Sequence, residues 1–429
     1  MKKIVYFILS CLILLSCSTD RSSILKVYNW ADYIDEELLE EFEQWYFEQT
    51  GEKVEIIYQT FDINETMLSK IELGHEDYDV VCPSDYIIER MLMKDLLLPI
   101  DRDFGQTPDY TQYVSPFITE KINQIEGYGK NANEYSVGYM WGTVGLIYNP
   151  KYVSADEVDS WEVLRNPAYK GKVLMKDAFR DVYTALLIAL NKDAIDAGEK
   201  DIVSLSFDAS EESIKLVEEY LISFRESIGG WEADFGKEQM TKELAWLNMS
   251  WSGDAQWAID EAAEVDVELE YIVPSSGSVA WFDGWVIPKY AKNIKAARYF
   301  INFLCKPENA IRNMDYIGYV SVIGGDEVLE SMCDDDYNAI DVSYFFGESG
   351  KEANINPIMY PDNSVINRCG MMHDVGTEEL LKMWSRVKGA NASAFTYVII
   401  GLVLGGLILA VIMKYSRKRR VTHKHKKRK

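Results

Sequence analysis

Between Ile24 and Cys82 the chain alternates short apolar runs with stretches of helical periodicity, and this alternation restricts its fold more than any other feature. Ile24–Asn29 reads as a buried strand. The spacing of Leu38, Leu39, Phe42, Trp45 and Tyr46 predicts a helix with one apolar face, which Gly51 ends. Val54–Tyr58 predicts a second strand, Glu65–Leu73 a short helix, and Tyr78–Cys82 a third strand that stops at Pro83-Ser84-Asp85-Tyr86. Strands that take turns with helices build a parallel sheet, an α/β arrangement. In such sheets ligands sit outside the carboxyl ends of the strands. Trp30, Tyr33, Ser84, Asp85 and Tyr86 all fall just past strand ends and are expected to line a cleft.

The same grammar continues. Residues 135–149 are punctuated by glycine and rich in β-prone types, suited to a strand that crosses between two halves. Val173–Met175 predicts a strand followed by Asp177-Ala178-Phe179-Arg180-Asp181 and a helix through Leu190. Glu212–Phe224 is amphipathic, and Glu243–Trp251 leads into Ser252-Gly253-Asp254 and a helix from Ala255. Ala296–Leu304 and residues 378–387 predict further helices, with an extended segment beginning at Ile317-Gly318-Tyr319. A chain of 429 residues permits two or three such domains.

The chemistry concentrates in residues 280–288, Ala-Trp-Phe-Asp-Gly-Trp-Val-Ile-Pro, where Asp283 stands between Trp281 and Trp285. A carboxylate with indole faces suits an organic cation, because each face adds roughly 0.5–2 kcal/mol of cation–π attraction. Core packing of both tryptophans, with Asp283 as a turn residue beside Gly284, is the alternative. Charge agrees with the cationic reading: residues 1–413 hold 34 Lys and Arg against 69 Asp and Glu, a formal −35, which repels nucleic acid and attracts cations. Cys82, Cys305, Cys333 and Cys369 have no C-x-x-C spacing, so neither a zinc site nor a dense disulfide framework is indicated, though one bridge among them is open. Of four histidines, two (His423, His425) lie in the C-terminal tail. That scarcity, and the lack of a Gly-x-Ser-x-Gly elbow or a phosphate loop, argue against an enzyme, a metal centre or a bound cofactor.

Both ends predict an address. Lys2 and Lys3, the apolar run Ile4–Leu15 and Leu14-Leu15-Ser16-Cys17 form a secretory leader, residues 1–16. Residues 394–413 hold no charge over a length that spans a hydrocarbon core of about 30 Å. The basic residues after it predict a cytoplasmic tail, 414–429, by the positive-inside rule, with the bulk of the chain outside.

Taken in order, Tyr28-Asn29-Trp30-Ala-Asp-Tyr33, Asn64-Glu65-Thr66-Met67, Tyr78-Asp79-Val80-Val81 with Pro83-Ser84, and the 135–149 run resemble the bacterial spermidine/putrescine-binding proteins of ABC importers. So do Trp161 with Pro167-Ala-Tyr169-Lys170-Gly171, Trp281-Phe-Asp283, Ile301–Pro307 and Ile317-Gly318-Tyr319. The resemblance spans about residues 24–385 and implies a two-lobe periplasmic-binding-protein fold of type II, to which this chain adds the C-terminal transmembrane helix. It implies lobes at 24–137 with 284–326 and at 138–283 with 327–388 and hinged closure over the ligand; separately, Leu14-Leu15-Ser16-Cys17 resembles the bacterial lipobox, which implies acylation of Cys17. The family resemblance implies Trp30, Tyr33, Ser84 and Tyr86 as one wall of the site, Trp251, Trp281 and Tyr319 as further aromatic contacts, and Asp283 and Asp181 as carboxylates that hold amines. Asp85 and Asp254 are acids where the relatives carry hydroxyls; they compensate or are merely solvated. Ala178, Ala233 and Met372 replace polar residues of the family pattern, which leaves the preferred chain length open.

The expectation is a membrane-held extracytoplasmic receptor that captures polyamines and passes them to an ABC permease. The alternatives are a binder of another small organic cation, a tethered polyamine sensor, and a glycosidase-type enzyme built on paired acids.

Overall fold

The computed structural model describes residues 21–389. Its first strand, β1 (Ile24–Trp30), leads into α1 (Glu37–Thr50), then β2 (Glu55–Phe61), α2 (Asn64–Glu72), the two-residue β3 (Val80–Val81) and α3 (Asp85–Met93). β1 pairs in parallel with both β2 and β3, as the strand–helix alternation requires. Leu38, Leu39, Phe42 and Tyr46 form the buried face of α1, and Gly51 closes that helix with φ +72°, a left-handed position that suits glycine.

Two long strands carry the chain from one half to the other. β4 (Ser136–Tyr148) is buried along its whole length. Between it and its later partner lie β5 (Val173–Lys176), α4 (Phe179–Leu190), α5 (Glu211–Phe224), β6 (Ile228–Glu232), β7 (Leu247–Trp251) and α6 (Ser252–Ala263). The partner is β8 (Ser278–Pro288), also buried throughout. After it come α7 (Ile294–Leu304), α8 (Pro307–Ile317), β9 (Val320–Ser321) and α9 (Thr377–Gly389). The main path of the sheet runs β2-β1-β3-β8-β4-β7-β5-β6. β4 pairs antiparallel with β8 over residues 136–143 and with β7 over 144–148, so a single strand serves both halves. This is a two-lobe α/β fold with crossing strands.

The expected C-terminal transmembrane helix is corrected. Among the described residues no helix is long and apolar enough to cross a membrane, and residues 394–413, on which that expectation fell, lie outside them. The leader, Cys17 and the tail 414–429 also lie outside the described residues. Cys82, Cys305, Cys333 and Cys369 are all unpaired, so no bridge forms among these four.

Candidate functional site

Three strand ends each deliver an acid to one place. β3 runs through Pro83 into Ser84, the residue before α3, and Asp85 is that helix's first residue. Asp181 sits in the first turn of α4 after β5, and Asp254 in the first turn of α6 after β7. Helix N-termini favour negative charge, so the strand–turn–helix pattern places carboxylates at the carboxyl edge of the sheet. Asp283 arrives by another route, from within β8. There the register with β4 shifts between Asp283 and Gly284, a bulge, which breaks the alternation of side chains along a strand.

The bulge separates the two indoles. Trp285 is fully buried and packs on Tyr139 (centroids 4.8 Å) and Phe300 (5.6 Å). Trp281 faces Tyr319, at 5.7 Å between centroids. The packing reading therefore holds for Trp285; Trp281 is also largely buried, at 7% exposure, but lies against the Tyr319 ring instead of the Tyr139–Phe300 cluster. Small residues make the close approaches possible. A Cβ on Gly142 would stand 2.8 Å from the Trp281 ring, and one on Gly253 2.6 Å from the Tyr319 ring.

Asp283 is 7% exposed and accepts a 2.9 Å hydrogen bond from the Tyr33 hydroxyl. Ser84 bonds it as well and pairs with it as a β-bridge. Burial nevertheless raises its pKa to about 6, with a further push from Asp181. Asp85 is fully buried; the Tyr86 backbone N–H donates to it at 2.7 Å, while its Oδ2 has no partner among the described residues. Burial drives the Asp85 carboxyl far upward despite that bond, and Asp283 and Asp181 add to the shift. Asp181, 8% exposed, is raised by burial even though the Trp251 indole N–H donates to it at 2.8 Å. None of these three carboxylates lies within ion-pair distance of a lysine or arginine among the described residues.

The remaining expected residues have clear neighbours. Tyr33 meets Tyr319 edge-on at 5.8 Å. Asn64 donates to the Ser84 hydroxyl at 3.1 Å and to the Tyr86 hydroxyl at 3.2 Å, tying that wall together. Trp30 packs on Phe61 (4.5 Å), and no hydrogen bond or ring contact among the described residues ties it to the other nine.

The surroundings of these residues hold groups whose partners the sequence reading did not find. Asp254 is neither solvated nor free: it is 7% exposed, Lys176 donates to it at 2.8 Å and the Tyr319 hydroxyl at 2.8 Å. Lys176 itself stands 4.0 Å from the centroid of the Trp251 ring. Arg180 makes an ion pair with Asp374 at 3.0 Å. It also donates to the carbonyls of His373 (2.7 Å) and Val375 (3.1 Å) and lies over the Tyr86 ring at 4.7 Å. Asp177 is held by Lys388 and Trp384, so it does not stand in for the polar group lost at Ala178. The only hint of the Arg180 pairing in the sequence was His373-Asp374-Val375-Gly376, a segment nearly 200 residues away.

Comparison with known proteins agrees with this geometry. Residues 37–325 match the profile of the family described as bacterial extracellular solute-binding protein. The chain is 28% identical over 301 residues to the spermidine/putrescine-binding periplasmic protein of Escherichia coli (strain K12), covering 70% of this chain and 78% of the relative. It is 27% identical over 313 residues to the putrescine-binding periplasmic protein PotF of the same organism, covering 69% and 77%. Among solved structures, the spermidine/putrescine ABC transporter substrate-binding protein PotD from Streptococcus pneumoniae superposes with a TM-score of 0.64 at 28% identity, covering 85% of this chain and 98% of that one.

Proposed function

Because this chain belongs to the bacterial extracellular solute-binding protein family, we propose that it captures a polyamine of the putrescine or spermidine type between its lobes and passes it, chemically unchanged, to an ABC permease. The observation that carries this reading is the trio Asp85, Asp181 and Asp283, buried near one another with no lysine or arginine in ion-pair reach among the described residues. An ion removed from water costs several kcal/mol unless it is compensated, so Asp181 and Asp283 are a deficit that protonated amines would fill, beside Asp85, whose full burial favours its neutral acid. Trp281, Tyr33 and Tyr319 supply faces that cover methylenes and still attract positive charge. The relatives, a spermidine/putrescine-binding and a putrescine-binding periplasmic protein, point the same way.

In this reading the lobes are residues 24–137 with 284–326 and 138–283 with 327–388, closing by a hinge movement about the crossing strands. Export under the leader and acylation of Cys17 belong to the same proposal. Isothermal titration of the purified chain with putrescine, spermidine and spermine, with glucosamine and glycine betaine as controls, tests it. Saturable binding of at least one polyamine at micromolar concentration is expected; silence with all three, or equal binding of a control, removes the reading.

A further inference from the structure

We infer that Lys176 is a specificity-determining residue: its ammonium is a resident cation at the Trp251–Asp254 end of the cleft and restricts the ligand to a short dication, a diamine rather than a triamine. The inference rests on the polyamine reading above and goes beyond it by selecting among polyamines.

The geometry around Lys176 is that of a bound amine. Its side chain is 1% exposed, and Nζ donates to Asp254 Oδ2 at 2.8 Å and to the Ala233 carbonyl at 3.0 Å, with Glu232 Oε1 at 3.1 Å. An ammonium has three protons to donate, and all three have partners. The Trp251 ring centroid is 4.0 Å away, within the range of a strong cation–π contact. A carboxylate, an indole face and a backbone carbonyl are what a ligand ammonium would seek, and here the chain's own lysine occupies them. Asp254 is engaged on both oxygens: Lys176 holds Oδ2, while the Tyr319 hydroxyl donates to Oδ1 at 2.8 Å and Lys237 approaches it at 3.5 Å.

Charge counting leads to the same ligand. Lys176 stands between Asp254 and Glu232, Lys237 divides itself between Asp234 at 2.9 Å and Asp254 at 3.5 Å, and Arg180 and Arg90 share Asp374. What remains uncompensated is Asp283, Asp181 and Asp85. Asp85 sits wholly out of solvent with one oxygen unpartnered, so the neutral acid is the form that this position tolerates. Two carboxylates are then left to hold two ammonium groups. A third amine would meet the Lys176 ammonium at close range in a medium that screens poorly.

The test is titration calorimetry on the full chain with putrescine and spermidine, for the wild type and for the double variant Lys176→Met/Glu232→Gln. The double change removes one charge of each sign and leaves Asp254 in place. The wild type is expected to bind putrescine at least tenfold more tightly than spermidine. In the variant, with circular dichroism unchanged, that ratio is expected to shift by at least tenfold toward spermidine. A wild type that binds spermidine as tightly as putrescine overturns the inference while the polyamine reading stands, and so does a folded variant with the wild-type ratio. A wild type that binds neither rejects the polyamine reading itself. If the variant does not fold, the wild-type ratio decides alone.

Discussion

Replacing Asp283 by asparagine should move affinity and stability in opposite directions, and the structure gives both magnitudes. In the unliganded chain the carboxylate is 7% exposed with two hydroxyl donors and no cation, and its pKa stands at about 6 against an ordinary 3.8. A folded-state value above the unfolded one means that protonation favours the fold. The contribution is fully present below the unfolded value and is lost as pH rises through 6. At pH 7.5 the ionised group therefore costs the fold about 3 kcal/mol, a shift of about two units at 1.36 kcal/mol each. Asparagine is nearly isosteric, its carbonyl can still accept from Tyr33, and it carries no charge. The unliganded variant should gain stability at pH 7.5, by up to about 3 kcal/mol, and the gain should shrink toward pH 4. For binding the sign reverses, because removing one partner of a buried charge pair costs about 2–5 kcal/mol. Taking the lower part of that range, polyamine affinity should fall roughly 30- to 700-fold. Urea denaturation of ligand-free protein reads the first effect and titration calorimetry the second. A variant that binds as well as the wild type, or one less stable than the wild type without ligand, refutes the assignment of Asp283 as a carboxylate held in reserve for a cation.

Three further outcomes follow from the same geometry. A ligand ammonium needs Asp283 ionised, and its pKa is about 6, so affinity should be nearly flat above pH 7. It should weaken about tenfold by pH 5; calorimetry at pH 7.5 and pH 5 reads this, and a flat profile counts against it. Trp281→Leu keeps apolar cover but removes the π face, so affinity should drop about 3- to 30-fold, the equivalent of roughly 0.5–2 kcal/mol, measured by the same titration. Arg180→Ala removes a buried guanidinium that serves Asp374 and two carbonyls and should lower stability by about 3–5 kcal/mol. Arg180→Lys should not restore it, because an ammonium lacks the planar fork; urea midpoints for both variants provide the check.

The fold was legible wherever local pattern and tertiary role coincide. The apolar spacing in α1, the glycine that ends it, and the β-rich run that becomes β4 all express in sequence what they do in space. The placement of candidate residues was legible where motifs follow strand ends, as with Ser84, Asp181 and Trp251, each beside the start of a helix. Three features had no local signature. Trp281 and Trp285 look equivalent as a pair, and only the register shift at Asp283–Gly284 separates their neighbours, Tyr319 for one and Tyr139 with Phe300 for the other. Lys176 reads as an ordinary strand residue, because its meaning depends on Glu232 and Asp254, which lie 56 and 78 residues away along the chain. Arg180 has two aspartates within three residues, Asp177 and Asp181, yet the first is held by Lys388 and the second accepts from Trp251, and Asp374 takes the pair. Each case is a long-range electrostatic or packing choice that residue order does not encode locally.

The most direct measurement is a crystal structure of the chain grown with putrescine. One ligand nitrogen should lie within hydrogen-bond distance of an Asp283 carboxylate oxygen, with the methylene chain against Trp281 and the Lys176 ammonium still on Trp251. A diamine bound anywhere else, or a cleft left empty at saturating ligand, contradicts the account.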